Sequence, residues 1–240
     1  MAAEPVTVWE RPERGARGPA PERSRAQIAA AAVALADAEG LAAVSMRQVA
    51  ARLATGPASL YRYLADRDEL LDLMLDAMVA EIDLTAPLAG DPVEDLLALA
   101  VQAKEVHLRH PWLLDIPAEP LRLGPNGLDY LEHALRVLAP APLAEQSKLE
   151  TIGLLNALVT QFARAELQAR RSPTGRQQAQ AAYLVSAAAA GRHPLIARAL
   201  AGQTAAGAAA RPGSQFAPVV RRVLAGLAPG REWPAGEDRT

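Results

Sequence analysis

The stretch Ser45-Met46-Arg47-Gln48-Val49-Ala50-Ala51-Arg52-Leu53-Ala54-Thr55-Gly56-Pro57-Ala58-Ser59-Leu60-Tyr61-Arg62-Tyr63-Leu64 reads as two short helices and the turn between them. Ser45-x-x-Gln48 is a capping box, in which each side chain satisfies a backbone amide of the other residue at a helix start. Met46, Val49, Ala50 and Leu53 then supply one packing face. Thr55-Gly56-Pro57 breaks that helix, and Pro57 sits where the next one tolerates a missing N–H. This second helix, about 57–64, is anchored by Leu60 and Leu64, while Ser59, Tyr61, Arg62 and Tyr63 form its other side. Hydroxyls and guanidinium groups bond phosphates or base edges. A helix held on a core, a tight turn and a projecting second helix meet the needs of a helix-turn-helix entering the major groove.

Working outward, Ser24-x-x-Gln27 opens an earlier helix with Ile28, Ala32, Leu35 and Ala36 at helical spacing, stopped by Gly40. Asp66-x-x-Glu69 caps a fourth helix carrying Leu70, Leu71, Leu73, Met74, Leu75 and Met78, which fades by Pro87. Further helices are expected from Asp91 to His110, Asn126 to Leu138, Leu143 to Arg171, Ser172 to Gly191 and Ser214 to Leu227. Pro111 and the 117–125 loop interrupt them, with a possible helical turn at Trp112–Leu114, and His193–Leu200 reads as one or two turns. Residues 201–213, rich in Ala and Gly, read as mobile. With no repeat and no convincing strand, the fold class is all-α. A three-helix helix-turn-helix domain (23–70) follows a flexible arm (1–22) and precedes a larger helical bundle (71–228), with a disordered tail from 229.

Composition agrees and excludes several classes. Half the residues of the 240 are apolar, only 4% are aromatic, and Ala and Leu, which cost least in a helix, dominate. The chain has no cysteine, so disulfides, thiolate zinc sites and cysteine nucleophiles are absent. No apolar run is long enough for a membrane span, and Met1-Ala2-Ala3-Glu4-Pro5 opens no secretory signal. The expected compartment is cytoplasmic. Gly-rich phosphate loops, nucleophile elbows and metalloprotease helices are missing, so neither an enzyme nor a cofactor is expected. Net charge is only −2, yet Arg11 to Leu64 carries eight basic residues against four acidic, a surplus of four. A basic N-terminal part on an acidic body suits a local anionic partner, although a solvated surface gives the same count.

Residues 25–75 resemble the N-terminal domain of the TetR family of transcriptional regulators. The resemblance rests on Ala32-x-x-Leu35-x-x-x-x-Gly40-Leu41, Ser45-Met46-Arg47-x-Val49-Ala50-x-x-Leu53, Pro57-Ala58-Ser59-Leu60-Tyr61-Arg62-Tyr63-Leu64 and Asp66-Arg67-Asp68-Glu69-Leu70-Leu71. It implies that Ser45 and Arg47 contact DNA near the backbone and that Pro57, Ala58, Ser59 and Arg62 lie on the base-facing part of the recognition helix. Tyr61 and Tyr63 would reach phosphates or bases, and Arg67 a phosphate. Tyr61 could instead wedge between helices, and Ser45 is a cap as well as a contact. Ala54 departs from the family, which usually has glycine just before the turn. Arg11, Arg14 and Arg17 either enter a minor groove or contact nothing.

The resemblance further implies a homodimer through the last two long helices, about Leu143–Arg171 and Ser214–Leu227, and a small-molecule effector among the central helices. The stripe Phe216, Val219, Val220, Val223 and Leu227 suits a partner or burial within its own subunit. Effector-binding candidates are polar or aromatic groups on apolar stretches: His107, His110, Trp112, Asn126, Tyr130, His133, Asn156, Gln161 and Phe162. His107-x-x-His110 and His133 offer three ligands, but two histidines at that spacing are common by chance and no acidic partner is forced nearby, so no metal site is expected. The implied function is a ligand-responsive repressor that binds a palindromic operator as a dimer and is released by its effector. The alternative is a helical ligand-binding or protein-interaction module that no longer reads DNA.

Overall fold

A computed structural model describes residues 6–11, 23–117, 122–207 and 213–227, and the described residues are all-α, without a strand. Four helices carry the N-terminal part: α1 (Arg25–Glu39), α2 (Met46–Arg52), α3 (Pro57–Leu60) and α4 (Arg67–Val79). The body is α5 (Pro92–Arg109), α6 (Pro125–Val137), α7 (Glu145–Ala169), α8 (Gly175–Ala189), α9 (Pro194–Gly207) and α10 (Phe216–Leu227). Single 3-10 turns, Leu41–Ala43 and Pro111–Asp115, follow α1 and α5.

The expected caps form. Ser24 accepts from the Gln27 amide while the Gln27 side chain answers the Ser24 amide, and Gly40 ends α1 at φ 83°. Ser45 caps α2 and Asp66 caps α4. The end of α2 explains Ala54. The Thr55 amide donates to the Ala50 carbonyl at 2.9 Å and the Ala54 amide to Ala51 at 3.0 Å, the paired bonds of a Schellman stop. That motif puts Ala54 in the left-handed region at φ 53°, where a Cβ crowds the carbonyl and glycine is the unstrained choice. The turn thus keeps its shape without the usual glycine. The recognition helix is shorter than the sequence suggested: α3 is a single turn, and the chain from Tyr61 to Leu64 continues as turns bonded to the Leu60 carbonyl.

Ile28, Val49, Leu60, Leu64, Leu70 and Met74 close the core of the N-terminal part. The expected boundary between residues 70 and 71 falls inside α4, which packs on α1 on one side and on α5 and α6 on the other. In the body, α5 is central and packs against α6, α7 and α10. A buried Lys104–Glu166 pair at 2.8 Å lies beside Phe216, whose ring meets Phe162 edge-on at 5.4 Å.

Four expectations over the chain's segments change. The segment Thr7–Arg11, expected in a flexible arm, is docked, with Val8 only 1% exposed; Arg14, Arg17 and the tail from 229 lie outside the described residues. A full helix, α9, replaces the one or two turns at 193–200 and runs into the stretch expected to be mobile. Helices α8 and α9 pack on each other as a hairpin, and most of its described side chains are exposed. Finally, the α10 stripe divides: Phe216, Val220 and Leu224 are buried against α5 and α7 of their own subunit, while Val219 and Val223 are half-buried and Leu227 is exposed.

Replacing Ala54 by glycine releases left-handed strain of about 1–2 kcal/mol and gives back about 0.4–1 kcal/mol of unfolded-state entropy. Chemical denaturation is therefore expected to show Ala54→Gly more stable by about 0.5–1 kcal/mol, whereas glycine at the helical Ala51 lowers stability by a similar amount.

Candidate nucleic-acid interface and its junction with the body

Helix α2 and the α3 turn bring the expected DNA-contacting residues to one region of the surface. Arg47, Pro57 and Ala58 are exposed, and Ser59 is half-buried. Arg62 is exposed and its guanidinium donates to the Ser59 hydroxyl at 2.8 Å, which holds both polar groups together. Ser45 is half-buried and accepts from the Gln48 amide at 3.3 Å, so its capping role is filled. The two tyrosines divide. Tyr61 is 56% exposed and does not wedge between helices, whereas Tyr63 is 7% exposed and belongs to the core. Tyr63 follows Leu60 by three residues and shares its inward side, so its ring packs in the core. Arg67 is exposed but braces the fold. Its Nε donates to the Val44 carbonyl at 3.2 Å and Nη2 to that of Leu41 at 3.4 Å, tying α4 to the turn before α2.

Behind this face, α4 meets the start of α6. Asp76 is buried, and its carboxylate accepts from the Gly127 amide at 2.9 Å and the Asn126 side-chain amide at 2.8 Å. A carboxylate at a helix N-terminus meets unsatisfied N–H groups and the positive end of the helix dipole. Gly124 is required for closeness rather than for an unusual φ: a methyl group there would collide with both the Asp76 carboxylate and the Trp9 indole. One helical turn before Asp76, Asp72 accepts from Arg122 at 2.7 Å, and Asp68 lies 3.6 Å from the same guanidinium. A second link joins α1 to the end of α5. The Trp112 indole donates to Asp37 at 2.6 Å, while Asp37 and Glu81 face opposite ring nitrogens of His110 at 2.7 and 3.0 Å. Glu81 also takes Arg109 at 2.6 Å.

The nine effector candidates therefore separate. Asn126, His110 and Trp112 hydrogen-bond at the junction, where Asn126 and Trp112 also line cavities. Tyr130, His107, His133, Asn156, Gln161 and Phe162 lie in the body. Burial pushes the Tyr130 hydroxyl up to about 12, and that hydroxyl donates to Asn156 at 2.9 Å. Burial lowers His107 below its ordinary value, with its Nδ1 2.9 Å from the Ala103 carbonyl one turn back. Phe162 packs on Phe216, and Gln161 is exposed. His107 and His110 face different partners, and no group of three metal-ligating side chains converges among the described residues.

Sequence reasoning missed Asp76, Arg122, Asp37 and Glu81. A signal existed for Asp76: it is an acid enclosed by Leu73, Met74, Ala77 and Met78 on an otherwise apolar stretch. Its partner Gly124-Pro125-Asn126-Gly127 was legible as a helix start, but not as the start that this acid would cap.

Comparison with known proteins places this geometry. Residues 28–74 match the family described as bacterial regulatory proteins, tetR family, and residues 86–229 match the tetracyclin repressor-like C-terminal domain. The chain belongs to the TetR family of transcriptional regulators. It is 37% identical to the HTH-type transcriptional repressor DrrR1 of Streptomyces coeruleorubidus over 198 residues, covering 79% of this chain and 73% of that protein. Apo ActR from Streptomyces coelicolor superposes with a TM-score of 0.72 at 28% identity, over 88% of this chain and 96% of that one. ActR in complex with actinorhodin gives 0.70 at 28% identity, over 86% and 95%.

The two tyrosines are expected to fail differently. Tyr61→Ala weakens DNA binding with stability within about 0.5 kcal/mol of the parent, because an exposed side chain is lost. Tyr63→Ala costs about 3–5 kcal/mol of unfolding free energy, because a core ring is lost. Denaturation and DNA titration of both variants check this.

Proposed function

We propose that the chain is a dimeric repressor that occupies an inverted-repeat operator and leaves it when a small molecule binds in the body. The observation that carries this reading is the polar face of the exposed Tyr61, Arg62 and Arg47 with the half-buried Ser59, mounted on the fully buried Val49 and Leu60. Donors fixed on a rigid base suit phosphate and base contacts, and exposed tyrosine would otherwise be wasted area. Ser45 and Arg47 contact the backbone, and Pro57, Ala58, Ser59, Tyr61 and Arg62 face the groove. Arg67 adds a phosphate contact with the donors its brace leaves.

One turn of recognition helix makes too few contacts for a strong specific complex, and pairing two half-sites about 34–36 Å apart supplies the rest. The pairing surface is formed by the last two long helices: the outward side of α7, where Leu149 and Leu154 are exposed, and the side of α10 that carries the half-buried Val219 and Val223 and the exposed Leu227. The α8–α9 hairpin, with Tyr183, Val185 and Leu195 exposed, extends it. Apolar residues aligned this way on a single chain mark an association surface.

The effector lies among α5, α6 and α7, near His107, Tyr130, His133 and Asn156. The ActR complex with actinorhodin supports a small-molecule effector. A ligand that displaces α6 pulls on Asp76 and so on α4, which changes the spacing of the two recognition helices. Release needs the ligand to favour the low-affinity state by a few kcal/mol, about 1–3 for ordinary coupling. No described helix is long and apolar enough to cross a membrane, which is compatible with a cytoplasmic regulator working at the chromosome.

Selection of bound fragments from a genomic DNA pool at two salt concentrations tests the reading. The expected outcome is an inverted repeat whose affinity falls steeply with salt. The double substitution Leu149→Asp/Leu154→Asp is expected to sediment as the 25.3 kDa monomer and to lose preference for the full repeat over a half-site. No enrichment at low salt contradicts DNA reading and favours a binding module that does not read DNA.

A further inference from the structure

The segment Thr7–Arg11 precedes every helix of the DNA reader, yet it runs alongside α4 and touches both ends of the junction. It is locally ordered: the Thr7 amide and hydroxyl donate to the Glu10 carboxylate at 3.1 and 3.0 Å, and the Glu10 amide returns to the Thr7 carbonyl at 3.2 Å. Val8 is as buried as the central leucines. Arg11 forms an ion pair with Glu69 in the first turn of α4, and its carbonyl accepts from Arg25 of α1 at 2.8 Å. The same Glu69 carboxylate accepts from the Ala65 amide at 2.6 Å, and Arg25 also reaches the Tyr63 carbonyl at 3.4 Å. One end of the segment is therefore fastened to the connection that carries the recognition helix into α4.

The other end is fastened to the body. The Trp9 indole lies so close to Gly124 that a methyl group there would strike it together with Asp76. Trp9 also walls a cavity of about 570 Å³ with Ala29 and Val33 of α1, Leu73 and Ala77 of α4, and Asn126 of α6. Glu69 and Asp76 are seven residues apart, about 10 Å along the helix, a span that the long side chains of Arg11 and Trp9 bridge from one turn.

We propose that Thr7–Arg11 is a positioning strap: it holds α4 against the N-terminus of α6 and so sets the angle of the recognition helix relative to the body. This rests on reading α3 as the DNA-contacting element. The strap presses on the point that Asp76 caps, so losing it frees the α6 entry while leaving the helix-turn-helix core intact. A segment that only adds surface area would instead raise or lower the stability of all parts together.

Hydrogen exchange on the full-length protein tests this. In Trp9→Ala, the Gly127 and Leu128 amides are expected to exchange about tenfold faster, while Val49 and Leu53 in the helix-turn-helix keep the parental rate. Trp9→Phe restores the slow rate, and Arg11→Ala, which removes only a partly exposed latch, reproduces the effect if Trp9→Ala does not fold. Affinity for the selected operator changes by about threefold or more in Trp9→Ala, with the salt slope unaltered. Unchanged exchange at Gly127 and Leu128, an equal rise at Val49 and Leu53, or faster exchange with unchanged operator affinity would each overturn the strap. The exchange rates need no DNA, so a failure of DNA reading and a failure of the strap are distinguishable.

Discussion

A carboxylate taken out of water has to be met by hydrogen bonds or it destabilises the fold by several kcal/mol. Asp76 is such a group, and what meets it is the first turn of a helix fifty residues further along the chain. That single requirement sets much of the surrounding structure. Position 124 must be glycine so that α6 can approach, Asn126 supplies the second donor, and α4 must lie across the α6 entry. Arg122 extends the contact one and two turns back along the same face of α4, through Asp72 and Asp68. The DNA-reading helices and the body consequently share α4 rather than being joined by a linker, and movement of α6 reaches α4 directly.

On the reader side, the same economy separates packing from contact. Tyr63 is spent on the core and Tyr61 is left to solvent, although they are two residues apart in one short stretch. Arg67 holds α4 to the turn before α2, so the element that follows the recognition helix and the element that precedes it are fixed to one another. Ala54 shows that the geometry of the turn is dictated by its hydrogen bonds: the chain accepts an alanine in the left-handed region rather than give up the Schellman stop.

Much of this was legible in the sequence because it is local. Ser24, Ser45 and Asp66 announce helix starts through bonds to residues three positions away, and Gly40 and Pro57 punctuate by their own backbone limits. The inward side of Tyr63 is read only once the α3 turn is known to end at Leu60. What was not legible depends on partners distant in the chain. An apolar stripe on α10 is equally suited to another subunit and to its own, and only the packing on α5 and α7 shows which of its residues are buried within the chain. The partners of Asn126, His110 and Trp112, which are Asp76 and Asp37 from helices of the N-terminal part, lie far away in the chain and leave no local signal. The docking of Val8 and Trp9 had no periodicity to betray it, since five residues are too few to show one.

Calorimetric unfolding of Asp76→Ala, compared with the parent, tests the central claim that this carboxylate joins the DNA reader to the body. The bonds removed involve a charged acceptor, worth about 1.5–3 kcal/mol each, and the α6 N-terminus loses its cap. The account predicts that one cooperative transition becomes two, with the helices from α1 to α3 melting separately from the body. A single transition at the parental temperature would contradict it.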